Sequence, residues 1–336
     1  MNFMQSSCWR HRRLYSTRSG MQTTNRPGET STGELMQSVK FPNGALEMAA
    51  NLYFPEGFDA ARKYPAIVCV HPGGGVKEQT AGRYAEQLAR EGFVTLAFDA
   101  SFQGESGGTP RFLEDPYARV NDVRSAVDYL VTRDCVDRDR IGALGVCAGG
   151  GYAIHATMTD RRIKAVGGIS TVNIGSMFRV GWRGDEPAAK AIGLLELGAA
   201  QRTREADGEP VAYLPFSPTS LDGVEDRDMR EAYDYYRTSR AQHPNTPSQF
   251  TTSSLPQLVT YDAFASADVL LTQPLQLIAG SDAGSLWFSR DIFDKAASTD
   301  KHLHVIPGAT HMSLYDTPEQ MREAVSKLAP FFGKHL

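Results

Sequence analysis

The fold of this chain is decided by residues 140–152, which have the sequence RIGALGVCAGGGY. A short apolar run ends in Gly145-Val146-Cys147-Ala148-Gly149, and residues compatible with a helix follow immediately. This pattern predicts a strand, a very sharp turn with a thiol at its apex, and then a helix. Glycines two positions before and after the apex are expected because a β-carbon would clash there. Since a thiolate is a strong nucleophile, the pattern makes Cys147 a candidate catalytic residue.

The other three cysteines, Cys8, Cys69 and Cys135, stand in different contexts. An isolated cysteine is usually a buried, space-filling residue, and Cys69 fits that role because it lies inside an apolar run. The four cysteines show no C-x-x-C spacing. We therefore expect neither a metal site nor a disulfide framework, and a reducing compartment fits the chain.

Composition restricts the class of protein. The chain has 336 residues, of which 41% are hydrophobic, and a net charge of -4. This length allows one large α/β domain with an insertion, or two domains. The negative net charge argues against nucleic-acid binding, which requires a basic surface. No apolar run approaches the roughly 18 residues of a membrane span. We expect a small-molecule substrate and no nucleic-acid or membrane partner, and a homodimer is compatible with the sequence.

The first 28 residues have an unusual composition, with five arginines and no acidic residue. An arginine- and serine-rich segment without acids is typical of organelle transit peptides, but no apolar core of a secretory signal follows. The favoured alternatives are a disordered tail or a true start at Met21. We expect residues 1–34 to lie outside the folded part and the protein to be cytoplasmic, with organelle import as the alternative.

The rest of the chain alternates between apolar and amphipathic segments. Residues 37–40 and 46–54 are joined by Pro42-Asn43-Gly44, which predicts an antiparallel hairpin. The alternation that follows predicts a mostly parallel, doubly wound α/β sheet. Strands are predicted over residues 64–70, 93–98, 141–146, 163–169, 274–279 and 303–306. Helices are predicted over residues 79–91, 116–132, 152–159, 285–297 and 319–332.

The alternation breaks between residues 175 and 264, which are too many for a plain connection. Helix-like runs occur at residues 186–200 and 228–240, the second of them rich in tyrosine. We expect an inserted helical cap over the carboxyl edge of the sheet, with a surface insertion of no catalytic role as the alternative. The core then comprises residues 35–174 and 265–336.

Reactive side chains follow four of the predicted strands. Because the carboxyl ends of parallel strands line one crevice, the loops after these strands should meet. They contain His71-Pro72-Gly73-Gly74-Gly75, Cys147, Gly280-Ser281-Asp282 and Pro307-Gly308-Ala309-Thr310-His311. Nucleophile, acid and histidine thus occur in the order Cys147, Asp282, His311, which is typical of α/β-hydrolases.

These motifs resemble the α/β-hydrolase superfamily, and its dienelactone-hydrolase-like branch in particular, over about residues 37–334. A cysteine at the apex of this strand-to-helix turn, which is called the nucleophile elbow, is known in that branch. Residues 71–80, 98–106 and 149–152 are also similar to a subgroup that includes uncharacterised bacterial hydrolases, fungal thiohydrolases and polyketide transferases. The segment at 175–264 is larger than in compact dienelactone hydrolases, so the resemblance does not imply a lactone substrate.

The resemblance implies a catalytic triad. His311 would take the thiol proton, or hold Cys147 as the thiolate of an ion pair, and Asp282 would orient the ring. The oxyanion formed on the attacked carbonyl needs fixed donors, for which the candidates are the N–H of Ala148 and that of Gly73 or Gly74.

The sequence therefore predicts a cofactor-free hydrolase that cleaves a small-to-medium ester, thioester or lactone through an acyl-thioenzyme. Acyl transfer by the same triad and a non-catalytic ligand-binding protein are the alternatives. A nucleotide cofactor is not expected, because the glycine-rich loops lack both a P-loop motif and the acidic residue of a dinucleotide fold. Candidate substrate-binding residues are Phe102, Tyr152, Trp182, Tyr233 and Tyr236. Glu105, on a loop of the same crevice, is expected to be a solvated carboxylate, with gating of the thiol as the alternative.

Overall fold

The computed structural model describes residues 35–336, so the predicted tail at residues 1–34 lies outside the described part of the chain. The strands are β1 (Met36–Asn43), β2 (Leu46–Tyr53), β3 (Tyr64–Val70), β4 (Val94–Phe98), β5 (Val136–Val146), β6 (Ile163–Ile169), β7 (Tyr213–Pro215), β8 (Gln249–Thr251), β9 (Leu275–Gly280) and β10 (Lys301–Ile306).

Eleven α-helices are described within the same residues. They are α1 (Thr80–Arg90), α2 (Pro116–Val131), α3 (Ala148–Thr159), α4 (Ile174–Val180), α5 (Lys190–Ala206), α6 (Arg227–Arg237), α7 (Leu255–Thr260), α8 (Ala267–Leu270), α9 (Leu286–Lys295), α10 (Ser313–Asp316) and α11 (Pro318–His335). A short 3-10 helix, Thr252–Ser254, precedes α7.

Eight strands form one sheet in the order β1-β2-β4-β3-β5-β6-β9-β10. The hairpin β1–β2 is antiparallel and turns at Gly44, whose φ of +58° suits glycine. Strand β2 also runs antiparallel to β4, and every later pair in the sheet is parallel. The predicted mostly parallel, doubly wound α/β sheet is therefore confirmed.

Helices cover both faces of this sheet because alternate residues of each central strand point to opposite sides. In β3, Ile67 and Cys69 belong to the core under α1 and α11, whereas Val68 and Val70 belong to the core under α2, α3 and α9. Cys69 is fully buried, as its apolar surroundings predicted. The continuous apolar runs of the sequence are thus strands that are buried on both faces.

Residues 170–274 connect β6 to β9, and we call them the insertion. They contain α4 to α8 and a separate two-stranded antiparallel sheet of β7 and β8. The insertion includes the segment 175–264 that the sequence analysis assigned to a helical cap. Its buried side chains join the two cores of the sheet: Phe250 and Leu255 belong to the core under α2, α3 and α9, and Tyr235 to the core under α1 and α11. The insertion is therefore packed against the rest of the fold and is not an extended loop.

None of the helices within residues 35–336 is both long enough and apolar enough to cross a lipid bilayer.

Candidate active site

Cys147 occupies the sharp turn between β5 and α3. Its backbone has φ +56° and ψ -126°, a conformation that is rare for a residue with a side chain. Three hydrogen bonds hold it there: Cys147 N donates to the carbonyl of Ile169, and Gly150 N and Val172 N donate to the carbonyl of Cys147, all at 2.9 Å. The apex of the turn is therefore fixed by β6 and by the first turn of α3.

The glycines beside the apex are required by close backbone contacts. A β-carbon at residue 145 would lie 2.1 Å from the carbonyl oxygen of Gly149. A β-carbon at residue 149 would lie 2.3 Å from the carbonyl oxygen of Val70. Both distances are far below van der Waals contact, and the obstructing atoms are backbone. The crowding predicted from the Gly-x-Cys-x-Gly pattern is present.

The thiol of Cys147 shares its cavity with Gly73, Ala148 and Tyr315. Its burial raises its pKa to about 11, and hydrogen bonding from the Tyr315 hydroxyl and from the N–H groups of Ala148 and Gly73 acts in the opposite direction. The predicted oxyanion donors Ala148 and Gly73 are therefore brought to the sulfur. Gly74, the other candidate donor, is not among the residues that line the cavity, and its carbonyl accepts a hydrogen bond from Thr246 Oγ1 at 2.7 Å.

His311 lines the cavity onto which Cys147 also opens, and only 2% of its surface is exposed. Its Nδ1 is 2.6 Å from Ser285 Oγ, and its Nε2 is 3.1 Å from the Tyr315 hydroxyl. The edge of the Trp182 ring packs against the imidazole, with 4.7 Å between ring centroids. Burial lowers the pKa of His311 to about 3, so the imidazole is neutral in the free protein.

Asp282 does not contact the His311 ring, contrary to the sequence analysis. Its side chain is 45% exposed, its Oδ1 accepts a hydrogen bond from Ser281 Oγ at 2.8 Å, and its Oδ2 lies 3.4 Å from Arg227 Nη1. The position after β9 was predicted correctly, but the carboxylate turns toward solvent and α6. Ser285, three residues further on, occupies the place at Nδ1 that the aspartate was expected to fill.

A different carboxylate, Asp228 at the start of α6, lies in this part of the site. It is 2% exposed, and its Oδ2 accepts hydrogen bonds from Trp182 Nε1 at 2.7 Å and from Gly284 N at 2.8 Å. Its Oδ1 is buried without a hydrogen-bond partner among the described residues. Burial raises the pKa of Asp228, and the two N–H donors oppose that effect.

Cys147 and His311 open onto one cavity of about 210 Å³. Its wall is mostly apolar and is shared between the sheet loops and the insertion. The lining residues are Gly73, Cys147, Ala148, Ile174, Met177, Trp182, Phe216, Asp228, Met229, Ala232, Tyr236, His311, Met312 and Tyr315. This combination of an apolar pocket and a few converging polar groups is typical of a site for a small molecule.

Two of the five predicted substrate-binding aromatics, Trp182 and Tyr236, line this cavity. Tyr152 instead points into the protein, where its hydroxyl donates to Glu114 at 2.7 Å. Phe102 belongs to the loop after β4, and Tyr233 lies near Arg237 on the outer part of α6. Aromatic residues that pack the fold cannot be separated from those that line a pocket by composition alone.

The sequence profile of the alpha/beta hydrolase family matches residues 67–324. The chain belongs to the alpha/beta hydrolase family. This confirms the family predicted from the elbow and the loop motifs.

Individual relatives of this family member agree with the assignment. The uncharacterized protein YcjY of Escherichia coli (strain K12) is 50% identical over 294 residues, which cover 88% of this chain and 96% of the relative. The crystal structure of the hypothetical protein PA2218 from Pseudomonas aeruginosa superposes with a TM-score of 0.83 at 32% identity, covering 96% of this chain and 100% of that chain. A thiohydrolase of Aspergillus aculeatus, aneE, is 26% identical over 278 residues, or 81% of each chain.

Glu105, the loop carboxylate of this hydrolase-family protein, has a structural partner. Oxygens of Glu78, Asp99 and Glu105 lie within 4.8 Å of one another. The Lys77 ammonium stands among them, 2.6 Å from Glu78, 2.9 Å from Asp99 and 2.6 Å from Glu105. The positive charge that such a cluster requires is therefore supplied by a lysine, and Glu105 ties the loop after β4 to the loop after β3.

Three residues of the site, Asp228, Ser285 and Tyr315, were not predicted from the sequence. Tyr315 had a usable signal, because it follows His311 by four residues, a spacing that places two side chains on one face of a helical turn. The sequence carried no comparable signal for Ser285 or Asp228. Their roles depend on how the loop after β9 and helix α6 meet, and no local pattern encodes that contact.

Proposed function

We propose that this protein is a hydrolase that cleaves a small-to-medium carboxylic ester, thioester or lactone through an acyl-thioenzyme on Cys147. The observation that carries the proposal is the thiol at a strained strand-to-helix turn, facing two N–H groups and sharing an apolar cavity with a buried imidazole. In this reaction the thiol is the nucleophile, the N–H groups stabilise the oxyanion and the imidazole accepts the proton.

His311 is the general base in this mechanism. A neutral imidazole has one N–H and one acceptor nitrogen. With Nδ1–H donating to Ser285 Oγ, Nε2 remains the acceptor and faces the Tyr315 hydroxyl, which also contacts the thiol. The pKa values of about 11 for Cys147 and about 3 for His311 favour a neutral thiol–imidazole pair over a thiolate–imidazolium pair before substrate binds.

The reaction then proceeds in two balanced halves. The Cys147 sulfur attacks the carbonyl carbon while the thiol proton passes to the Tyr315 oxygen and the Tyr315 hydroxyl proton passes to His311 Nε2, since this hydroxyl contacts both groups. The oxyanion accepts hydrogen bonds from Ala148 N–H and Gly73 N–H. The tetrahedral intermediate collapses, and the leaving alcohol or thiol takes the proton from the imidazolium. Water then attacks the thioester with His311 as base, which releases the carboxylic acid and restores the thiol.

The cavity determines the size and polarity of the acyl group. Its volume of about 210 Å³ and its lining of Ile174, Met177, Phe216 and Met229 suit a short aliphatic or aromatic acyl chain. Methionine side chains adapt to irregular shapes, so the pocket favours a range of related chains over one rigid ligand.

The experiment follows acylation directly. Incubation with p-nitrophenyl butyrate, followed by intact-protein and peptide mass spectrometry, should show one butyryl group on Cys147, with a burst of p-nitrophenol. The adduct should be absent in Cys147→Ala and strongly reduced in His311→Ala. Cys135→Ala is the matched control, because this half-buried thiol lies away from the elbow, and it should acylate like wild type. Full esterase activity in Cys147→Ala would exclude the mechanism, and ligand binding without turnover would support a binding protein.

Acyl transfer is a second candidate, supported by the apolar wall around the acyl-enzyme. Such a wall restricts water and suits an alcohol as the acceptor. Product analysis in the presence of a competing alcohol separates the two functions. An ester product in excess over the acid, relative to the molar ratio of alcohol to water, would favour the transferase.

A further inference from the structure

A buried histidine base gains from a nearby negative charge, because proton transfer turns it into an imidazolium in a poorly solvated place. The residue expected to supply that charge, Asp282, is 45% exposed and is paired with Arg227. The partner that His311 Nδ1 does have, Ser285 Oγ, is uncharged. The charge on the imidazolium must therefore be balanced by another group.

Asp228 is a buried carboxylate that lines the same cavity as His311. Two paths connect it to the ring. Trp182 donates its indole N–H to Asp228 Oδ2 and packs its ring edge on the imidazole. Gly284 N donates to the same oxygen, and the next residue, Ser285, contacts His311 Nδ1.

The second carboxylate oxygen, Oδ1, has no hydrogen-bond partner among residues 35–336 although it is buried. A buried charge that is only half satisfied costs stability, and such a cost is commonly retained at a functional site. The nearby Arg183 is itself paired with Asp226 at 2.6 Å. The negative charge of Asp228 is therefore not cancelled by a direct ion pair of its own.

We propose that Asp228, a residue of the insertion, is the positioning residue that orients His311 through Trp182 and Ser285 and stabilises its imidazolium form. This inference rests on the proposed function, in which His311 is the general base. The acid that supports His311 then belongs to helix α6 and not to the loop after β9.

The titratable groups that contact the ring or the thiol do not supply this charge. Cys147 and Tyr315 are protonated in the free protein, because burial raises both of their pKa values, and Tyr236 behaves in the same way. Arg119 is buried and close enough to lower the pKa of Cys147, but it carries the opposite sign. Among these groups, only Asp228 can stabilise a cation at His311.

The test is the substitution Asp228→Asn. The asparagine amide oxygen can accept the same hydrogen bonds from Trp182 and Gly284, so the contacts stay while the charge is lost. We expect the rate of acylation by p-nitrophenyl butyrate, and kcat with it, to fall about 30-fold or more, the size expected for a unit charge several ångströms from a developing imidazolium. KM should change less than about threefold, because the charge acts on the transition state. Asp228→Ala should be at least as impaired.

Asp282→Asn is the matched control, since it removes the same charge from an exposed carboxylate, and it should acylate at the wild-type rate. Trp182→Phe keeps an aromatic ring against His311 but removes the indole donor. It should lower kcat by a smaller factor than Asp228→Asn, and it tests the inference independently if Asp228→Asn fails to fold as judged by circular dichroism.

The outcomes separate this inference from the proposed function. If wild type acylates Cys147 and Asp228→Asn does so at the same rate, the inference is overturned and the proposed function stands. If Asp282→Asn is the slow variant, the acid is the residue predicted from the sequence, and the inference is again overturned. If wild type forms no adduct on Cys147, the proposed function itself fails.

Discussion

The pH dependence of Cys147 alkylation tests the electrostatics of the site most directly. Burial raises the pKa of this thiol from an ordinary 9.0 to about 11. At pH 7 the thiolate fraction is then roughly one in 10⁴, about 100-fold below that of an unperturbed thiol with the ordinary pKa. Only the thiolate reacts with iodoacetamide, so alkylation should be slow at pH 7 and should accelerate about tenfold per pH unit up to pH 10.

The assay is quenched alkylation with iodoacetamide between pH 6 and pH 10, quantified on the Cys147 peptide in a Cys135→Ala background. Tyr315→Phe is the informative perturbation, because the Tyr315 hydroxyl lowers the pKa of the thiol. Loss of one such hydrogen bond, worth about 1 kcal/mol, should slow alkylation roughly fivefold at each pH. A wild-type rate that reaches a plateau below about pH 8 would refute this account, since it would show a thiolate–imidazolium pair formed before substrate binds.

Three further predictions concern stability, each measured by urea unfolding. Gly149→Ala should prevent folding or destabilise by about 3 kcal/mol or more, because its β-carbon would lie 2.3 Å from a backbone oxygen, whereas Gly333→Ala, with nothing within 4 Å, should be nearly neutral. Tyr152→Phe should cost about 1–3 kcal/mol, because Glu114 loses a buried hydroxyl donor at 2.7 Å. Burial lowers the pKa of His311 from 6.5 to about 3, so between these pH values the unfolded chain binds a proton at this residue and the folded protein does not. The free energy of unfolding should therefore be highest above pH 6.5 and fall as the pH drops toward 3. Wild type should lose about 2 kcal/mol between pH 7 and pH 5 relative to His311→Gln.

The elbow and the sheet could be predicted because both depend on local rules. The Gly145-x-Cys147-x-Gly149 spacing describes a turn whose glycines are required by backbone contacts that lie within a few residues or on the adjacent strand. The strands were visible as apolar runs, since they are buried on both faces. The start of α3 was placed at residue 152 and lies at Ala148, because three glycines are poor helix formers in isolation but are needed where the helix packs closely on neighbouring backbone.

The acidic part of the site shows where a sequence argument ends. The order of strands predicts which loop comes near the crevice, but it does not predict the direction of a side chain within that loop. Asp282 is drawn outward by Ser281 and Arg227. Asp228 reaches the crevice from a helix about 80 residues after the elbow in sequence, and only the packing of Trp182 and Gly284 against it reveals its place.

The division of the cavity wall between the sheet loops and the insertion has a practical consequence. The proposed nucleophile, base and oxyanion donors belong to the loops, whereas most of the apolar lining belongs to the insertion. A chimaera that received this segment from another hydrolase could acquire a new acyl-chain preference while it keeps its own thiol chemistry. Asp228 stands on the exchanged segment. Under the role proposed for it, such a graft has to bring an acid at the same place in α6, because His311 would otherwise be a weaker base.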